Sequence, residues 1–207
     1  MRGLDAARIA RNLEQVREEI GRDGVEILAA VKYVALEELG TLAEAGITVV
    51  GENRAQELEA KHAAHGDAFT WDFIGQLQSR KVKTVLPLVR YVQSVCTDSA
   101  LAQLEKHGSP ETEILVEVNV AGEEGKAGIT PADLGDFIGR SPAKVVGLMT
   151  MPPYAEKAED SRRWFAALAQ LAADHGLAQL SMGTTQDFAV AAQEGATIVR
   201  IGTRLYT

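Results

Sequence analysis

The chain has 207 residues, of which 46 % are hydrophobic and 24 % charged, a composition typical of a globular domain with a sizeable core. The formal net charge of -8 argues against a general nucleic-acid-binding protein. No apolar run reaches the roughly 18 residues that a membrane span requires, and the N-terminal residues lack a signal-peptide core. We therefore expect a single cytoplasmic domain spanning residues 1–207.

The predicted elements begin with a helix, because apolar residues recur at helical spacing from Ile9 to Ile20. Eight short β-rich runs follow, separated by helical patterns. These runs are Glu26–Tyr33, Ile47–Asn53, Phe69–Gly75, Tyr91–Cys96, Glu113–Val120, Lys144–Thr150, Ala178–Gly183 and Ala196–Thr203. Such an alternation predicts parallel βαβ units.

Eight parallel strands favour closure into a (β/α)8, or TIM, barrel. The continuous apolar run Ile27–Val31 indicates a strand that is buried on both faces, as a parallel sheet requires. An open doubly wound sheet stays the alternative, although no G-x-G-x-x-G follows the first strand. We expect no helix after the eighth strand, and we expect the extra N-terminal helix to take its place on the barrel wall.

The functional face of such a barrel lies at the C-terminal ends of its strands. The residues predicted there are Lys32, Glu52, Asn53, Gly75, Gln76, Asn119, Met149, Met182, Gly183 and the run Arg200–Thr203. The loops after strands seven and eight often form a phosphate site. Both loops carry glycine and threonine, whose N–H and hydroxyl groups can donate to phosphate. Gly-Thr also occurs in loops for turn reasons, so the pairing alone leaves both interpretations open.

Two basic residues of these strand ends are candidates for chemistry. Lys32 follows a buried strand, where desolvation and a nearby Arg200 would favour the neutral amine that attacks an aldehyde to form a Schiff base. The alternative is an ordinary lysine that extends from a strand end into solvent. Arg200 lies in an apolar run, where an unpaired charge is costly. It either faces a bound ligand or pairs with a carboxylate such as Glu52 or Asp187.

Seven ordered segments together carry a family resemblance. They are Leu28–Lys32, Gly51–Asn53 with Gln56 and Glu57, Phe73–Ser79 with Lys81, Val118–Val120 with Lys126 and Gly128, Gly147–Met149, Leu180–Gly183 and Val199–Thr203. In these segments the chain resembles the pyridoxal phosphate homeostasis proteins, relatives of the N-terminal barrel of bacterial alanine racemases. The resemblance runs from about Ile27 to Arg204, which is nearly the whole chain.

The resemblance implies that pyridoxal 5'-phosphate (PLP) is held on Lys32 as an internal aldimine. It implies that Gly202, Thr203 and the loop Ser181–Thr185 hold the phosphate, that Arg200 faces the pyridine nitrogen, and that Asn53 lies near the ring. The full implied cofactor-binding set is Lys32, Asn53, Met149, Ser181, Met182, Thr185, Arg200, Ile201, Gly202 and Thr203. No metal is expected, because the histidines lack metal-site spacing.

The chain departs from the family pattern at a few positions. Thr184 and Thr185 stand where Met-Ser is common, which keeps one hydroxyl at the implied phosphate contact. Asp72 replaces a frequent histidine before Phe-Ile-Gly, and Arg54 stands beside Asn53. These departures concern details of the site rather than the cofactor.

The same residues favour a PLP carrier over an efficient racemase. An arginine at the pyridine nitrogen keeps the ring neutral there, and a neutral ring is a poorer electron sink. Racemisation also needs a proton donor on each face, which alanine racemases, by the resemblance, take from a separate β domain; we expect none here. We therefore expect a monomeric carrier or regulator that passes PLP to PLP-dependent apoenzymes. The alternatives are a weak amino-acid racemase or related PLP enzyme, and a Schiff-base aldolase without PLP.

Overall fold

The structure, a computed structural model, describes residues 1–207 and contains eight β-strands and nine α-helices. The strands are β1 (Glu26–Ala30), β2 (Val49–Glu52), β3 (Thr70–Phe73), β4 (Tyr91–Val95), β5 (Glu113–Glu117), β6 (Lys144–Met149), β7 (Gln179–Thr184) and β8 (Ile198–Ile201). The helices are α1 (Ala6–Ile20), α2 (Leu39–Glu44), α3 (Ala55–His65), α4 (Val82–Val85), α5 (Asp98–His107), α6 (Leu134–Gly139), α7 (Arg162–Asp174), α8 (Phe188–Gln193) and α9 (Thr203–Tyr206). None of these helices combines the length and the apolar character that crossing a membrane requires.

All eight strands pair in parallel and in chain order, and the last strand closes the sheet onto the first. In that closing pair Leu28 lies opposite Arg200, and Ala29 lies opposite Ile201. Because parallel strands need a crossover connection, the chain passes along the outside of the sheet between strands, and its helices cover that face. The predicted (β/α)8 barrel is therefore confirmed, and the open sheet is excluded.

Each predicted β-run overlaps one observed strand, but most strands are shorter than predicted. β1 ends at Ala30, so Lys32 lies in a turn beyond the sheet. β8 ends at Ile201, and Thr203 opens the helix α9. β7 instead continues one residue beyond its predicted run, to Thr184. At the C-terminal ends the chain must leave the sheet to reach the wall helices, and this exit places the candidates Lys32, Asn53, Thr185 and Gly202 in loops.

Helix α1 packs its apolar face against the barrel wall. The Asp5 side chain caps the helix by accepting a hydrogen bond from the Arg8 amide at 2.7 Å, and Gly21 ends it with a φ of 60°. α1 lies beside α2, α8 and α9, where the wall would otherwise be open. The expectation that no helix follows β8 is wrong, but α9 has only four residues and covers little of the wall.

The barrel interior combines a small apolar cluster with buried polar side chains. Leu28, Val49 and Ile198 form an apolar cluster separate from the larger core between sheet and helices. Gln93 on β4 contacts Ser181 on β7. These strands are not neighbours in the sheet, so the contact crosses the interior. Branched apolar residues usually fill such a barrel, which makes these polar side chains candidates for a functional role.

Candidate functional site

A cavity of about 460 Å³ opens at the C-terminal end of the barrel. Six of the residues predicted from the sequence line it: Lys32, Asn53, Thr185, Arg200, Gly202 and Thr203. They come from the ends of β1, β2, β7 and β8, so residues that are distant in the chain meet at one opening. A larger depression of about 890 Å³ lies beside α7 and is lined by none of the predicted residues.

Lys32 lies in the turn after β1 with its side chain exposed to solvent. Its Nζ lies 4.8 Å from the centre of the Tyr33 ring, and it makes no ion pair. The expectation of a desolvated amine is therefore wrong for this structure, because the two-residue exit from β1 carries Lys32 out of the barrel interior. The amine is instead accessible from the cavity and from solvent.

A buried ion pair between β2 and α3 supports the Lys32 turn. Lys61 of α3 donates hydrogen bonds to Glu52 Oε2 at 2.7 Å and to the carbonyl oxygen of Val31 at 2.8 Å. The other carboxylate oxygen of Glu52 accepts from the amides of Asn53 and Arg54, at 2.9 and 3.3 Å. One ion pair thus ties together the chain just before Lys32 and the chain at Asn53. The sequence analysis missed Lys61, because a lysine within a helix carries no signal of burial.

Arg200 is buried inside the barrel and points toward the cavity. It donates hydrogen bonds to Ser181 Oγ at 2.5 Å and to the carbonyl oxygen of Thr150 at 2.8 Å. Burial lowers the pKa of Arg200 to about 10, and the charge of Glu117 opposes that shift. The guanidinium therefore keeps its charge at neutral pH. Neither Glu52 nor Asp187 contacts it, so the ion pair considered from the sequence does not form.

The corner between the β7 and β8 loops is lined by polar groups. The Gly202 amide donates to Thr185 Oγ1 at 3.3 Å, and the Thr184 amide donates to Asp187 Oδ1 at 2.7 Å. A side chain added at Gly202 would meet no atom within 4 Å, so there is open space at this corner. Thr203 is the first residue of α9, where backbone amides have no partner within the helix.

Asn53 brings an unsatisfied polar atom to the cavity. Its Oδ1 is buried and has no hydrogen-bond partner. Buried polar atoms are usually paired, so an orphan in a cavity indicates a place for a ligand group. Position 75 requires glycine for the chain to pass this close to Asn53, because a Cβ there would lie 2.1 Å from the Asn53 carbonyl oxygen.

Four residues of the predicted set do not line the cavity. Met182 and Ile201 are buried on the outer face of the sheet, because they are the chain neighbours of Ser181 and Arg200 and successive strand residues point to opposite faces. Met149 and Ser181 are buried in the barrel interior, below the opening. Ser181 contacts Arg200 rather than the cavity. Direct ligand contacts by these four residues stay predictions.

The cavity also contains residues that the sequence analysis did not select. Tyr33, Ile74, Met151 and Tyr206 are among its apolar and aromatic lining residues. Tyr206 donates a hydrogen bond to the carbonyl oxygen of Ala30 at 3.1 Å, and burial raises the pKa of its phenol. Tyr33 could have been selected, because it follows Lys32 directly. Ile74 and Met151 lie just beyond strand ends, and Tyr206 lies in α9, a helix that the sequence analysis did not expect.

Comparison with known proteins places this barrel in a family. The family described as "Alanine racemase, N-terminal domain" matches residues 4–207. A pyridoxal phosphate homeostasis protein of Aquifex aeolicus is 38 % identical, over 96 % of each chain. One from Pseudomonas aeruginosa is 35 % identical, over 97 % of this chain and 92 % of its own. PipY of Synechococcus elongatus, solved with PLP bound, superposes with a TM-score of 0.82 at 28 % identity, over 96 % of this chain and 100 % of its own. The chain therefore belongs to the family of pyridoxal phosphate homeostasis proteins, whose barrel is that of the alanine racemase N-terminal domain.

Proposed function

We propose that this protein binds PLP in the cavity at the barrel mouth and acts in PLP homeostasis. The observation that carries the proposal is the meeting, in one cavity, of an accessible lysine, a buried arginine, an orphan amide oxygen and an open glycine-threonine corner. The cavity volume lies in the range of small-molecule sites. The full-length relatives named for PLP homeostasis and the PLP-bound PipY support the same conclusion.

The phosphate of PLP fits the corner formed by Thr185, Gly202 and Thr203. The open space at Gly202 lets an anion approach the backbone, and the amide of Thr203 has no partner within its own helix. The hydroxyl of Thr185 adds a donor. Positive charge from Arg200, in the same cavity, favours an anionic ligand.

The ring of PLP fits between Arg200 and Asn53. Arg200 can only donate hydrogen bonds, so it pairs with a pyridine nitrogen that carries no proton. The orphan Oδ1 of Asn53 accepts from a ligand hydroxyl or from a bound water. The residues present therefore fit the polar groups that PLP carries around its ring.

Lys32 is the residue that we assign to covalent attachment. Its amine lines the cavity and is free of any carboxylate partner, so it can bond to the aldehyde carbon of PLP with loss of water. When bound, PLP supplies a ring that withdraws electrons from an attached amine. The Lys61 contact to Val31 holds the backbone from which Lys32 extends.

A carrier suits this cavity better than an efficient racemase. Besides Lys32, the titratable groups that line it are the N-terminal amine of Met1 and the side chains of Tyr33, Arg200 and Tyr206. The Met1 amine, Arg200 and Tyr206 are engaged in hydrogen bonds, which leaves the exposed Tyr33 as the remaining acid or base. Turnover of L-amino acids no faster than with free PLP is expected. A faster rate that falls in Tyr33→Phe would favour the enzyme alternative.

Titration of the protein with PLP, followed by borohydride reduction and peptide mass spectrometry, tests the proposal. We expect a visible absorption band distinct from that of free PLP and one pyridoxyl phosphate on the peptide that contains Lys32. Lys32→Ala should lose the covalent product. Lys144→Ala, which removes an exposed lysine at the opposite end of the barrel, should behave as wild type. Equal labelling of Lys32→Ala and wild type would contradict the assignment.

We further propose that the protein works in the cytoplasm as a monomer and passes PLP to PLP-dependent apoenzymes. The open cavity mouth, with Lys32 exposed, supports exchange of the cofactor with other proteins. Light scattering of the purified protein checks the monomer. Activation of an apo-transaminase by the loaded protein, faster than by the PLP that it releases into buffer, checks the transfer.

A further inference from the structure

A chain of buried hydrogen bonds crosses the barrel interior and ends at Arg200. Gln93 Nε2 donates to Asp72 Oδ2 at 2.7 Å. Ser181 Oγ donates to Gln93 Oε1 at 2.5 Å, and Arg200 Nη1 donates to Ser181 Oγ at 2.5 Å. Asp72, Gln93 and Ser181 are at most 2 % exposed, and none of the three lines the cavity.

The series of hydrogen bonds begins at the opposite end of the barrel from the cavity. Arg90 donates to Asp72 Oδ1 at 3.1 Å and to Asp72 Oδ2 at 2.8 Å, and it also donates to Glu26. Glu26 is the first residue of β1, and Arg90 directly precedes β4, so both lie at the N-terminal end. The polar chain therefore runs from that end to the cofactor cavity.

The negative charge of Asp72 determines the direction of every hydrogen bond in this series. Arginine only donates, so both carboxylate oxygens of Asp72 must accept. Gln93 must then turn its NH2 group toward Asp72, which leaves its Oε1 facing Ser181. The Ser181 hydroxyl must donate to that oxygen, and its lone pairs are left for Arg200.

The orientation of Arg200 depends on this direction. Its guanidinium has two oxygen acceptors on the protein, Ser181 Oγ and the Thr150 carbonyl oxygen, and it also contacts Met151 Sδ at 2.9 Å. Two acceptors hold the plane of a guanidinium, and the remaining N–H groups are left to face the cavity. A buried polar network is costly unless every member is satisfied, so its presence in place of the usual apolar filling requires a reason.

We propose that Asp72, Gln93 and Ser181 are positioning residues that orient Arg200 toward the ring nitrogen of bound PLP. This inference rests on the proposed function, because it assumes that PLP occupies the cavity. It assigns a role to Asp72, the position at which this chain departs from the histidine frequent in its family. The three residues act through Arg200 and do not touch the cofactor.

The test uses one substitution to reverse the direction of the hydrogen bonds between Asp72 and Arg200, and a second substitution to restore it. In Asp72→Asn, Arg90 takes the one remaining oxygen, so the new amide donates toward Gln93 and turns it around. Ser181 then accepts a hydrogen bond from Gln93, which occupies one of its lone pairs and leaves its proton without the Gln93 acceptor. Both changes weaken Ser181 as an acceptor for Arg200. The double variant Asp72→Asn/Gln93→Glu returns an acceptor to Ser181, with the negative charge moved by one residue.

Two properties are measured for each variant. They are the dissociation constant for PLP and the nitrogen-15 NMR signal of ring-labelled PLP bound to the full-length protein. Loss of a hydrogen bond to a charged group corresponds to roughly 10- to 100-fold weaker binding. We expect a loss of that order, with a displaced ring-nitrogen signal, in Asp72→Asn and in Ser181→Ala. The double variant should recover both values. Ser161→Ala, which removes a buried hydroxyl without any partner, is the matched control and should leave both unchanged.

Retention of wild-type affinity and ring-nitrogen signal in folded Asp72→Asn and Ser181→Ala would overturn the proposal. So would a failure of the double variant to recover when circular dichroism shows that it is folded. If Asp72→Asn does not fold, Ser181→Ala decides alone, since it removes a single oxygen. Absence of PLP binding by the wild type is a different result, because it contradicts the proposed function itself.

Discussion

The two ends of the barrel differ in whether their charged side chains form ion pairs. At the N-terminal end Arg90 contacts both Glu26 and Asp72, at 2.6 and 2.8 Å, so each of these charges has a partner of opposite sign. At the C-terminal end Lys32 and Arg200 line the cavity, and neither contacts a carboxylate. Both regions belong to the same closed sheet. The difference therefore arises from the residues chosen at the strand ends and not from the architecture.

The comparison teaches where this fold pairs its charges and where it leaves them for a ligand. In barrels of this type the N-terminal face contributes stability, and the C-terminal face carries function. Even near the C-terminal end, the buried charges between β2 and α3 are paired, as Lys61 and Glu52 show. The two cations that line the cavity, Lys32 and Arg200, form no ion pair and remain available to a ligand.

The largest expected effect is on stability and comes from the buried ion pair between β2 and α3. Lys61→Met leaves Glu52 buried without a cation, and breaking a buried pair in this way costs about 3–5 kcal/mol of unfolding free energy. Urea unfolding measures the loss. The double variant Lys61→Met/Glu52→Gln removes both charges and should recover much of it. An unchanged midpoint for the single variant would mean that the pair contributes nothing.

A smaller effect is expected at the opposite end of the barrel. Arg90→Met removes the guanidinium that pairs with Glu26 and Asp72 and leaves Gln93 as the remaining side-chain donor to Asp72, and leaving a buried acceptor unpaired costs about 1–3 kcal/mol. The loss should be smaller than for Lys61, because Arg90 is 28 % exposed and water can reach part of its place. Lys144→Ala, which breaks an exposed pair at this same end, should leave the thermal midpoint unchanged. A loss in Arg90→Met that exceeds that of Lys61→Met would reverse the comparison.

The smallest effect is a pH dependence at Glu117, near the cavity. Burial raises the pKa of Glu117, and the charges of Arg200 and Lys126 oppose the shift. The folded state then binds the proton more tightly than the unfolded state, so the wild type loses stability as the pH rises from about 4 toward the higher folded pKa. Glu117→Gln cannot titrate and escapes this loss. Measured by urea unfolding, the stability of the variant relative to wild type should therefore be higher at about pH 7 than at about pH 4. An identical difference in unfolding free energy at both pH values would exclude Glu117 as the source of the pH dependence.

The fold was largely predictable, because barrel strands carry a strong local signal. A strand such as β1 is buried on both faces and therefore reads as a continuous apolar run. Its end was less predictable: the run extended to Tyr33, whereas the strand stops at Ala30. Val31, directly after Ala30, is as apolar as the residues before it, so hydropathy alone does not mark the point where the chain leaves the sheet.

The candidate site was predictable in its outline but not in its supports. Lys32, Asn53, Arg200 and Gly202 were selected because they stand at the C-terminal ends of predicted strands or within a family motif. Lys61 was missed, since its burial depends on how α3 packs on the sheet.

The sequence alone determined which residues form strands and, with the direction of parallel strands, which strand ends meet at the cavity. These properties follow from the local hydrophobic pattern and from the order of the elements along the chain, and the linear sequence contains both. Only the tertiary structure decided which charges are paired: Lys61 with Glu52, Arg90 with Asp72, and Arg200 with no acid at all. Pairing depends on distances of a few ångströms between residues far apart in the chain, and on burial, which is a property of the closed barrel and not of any segment.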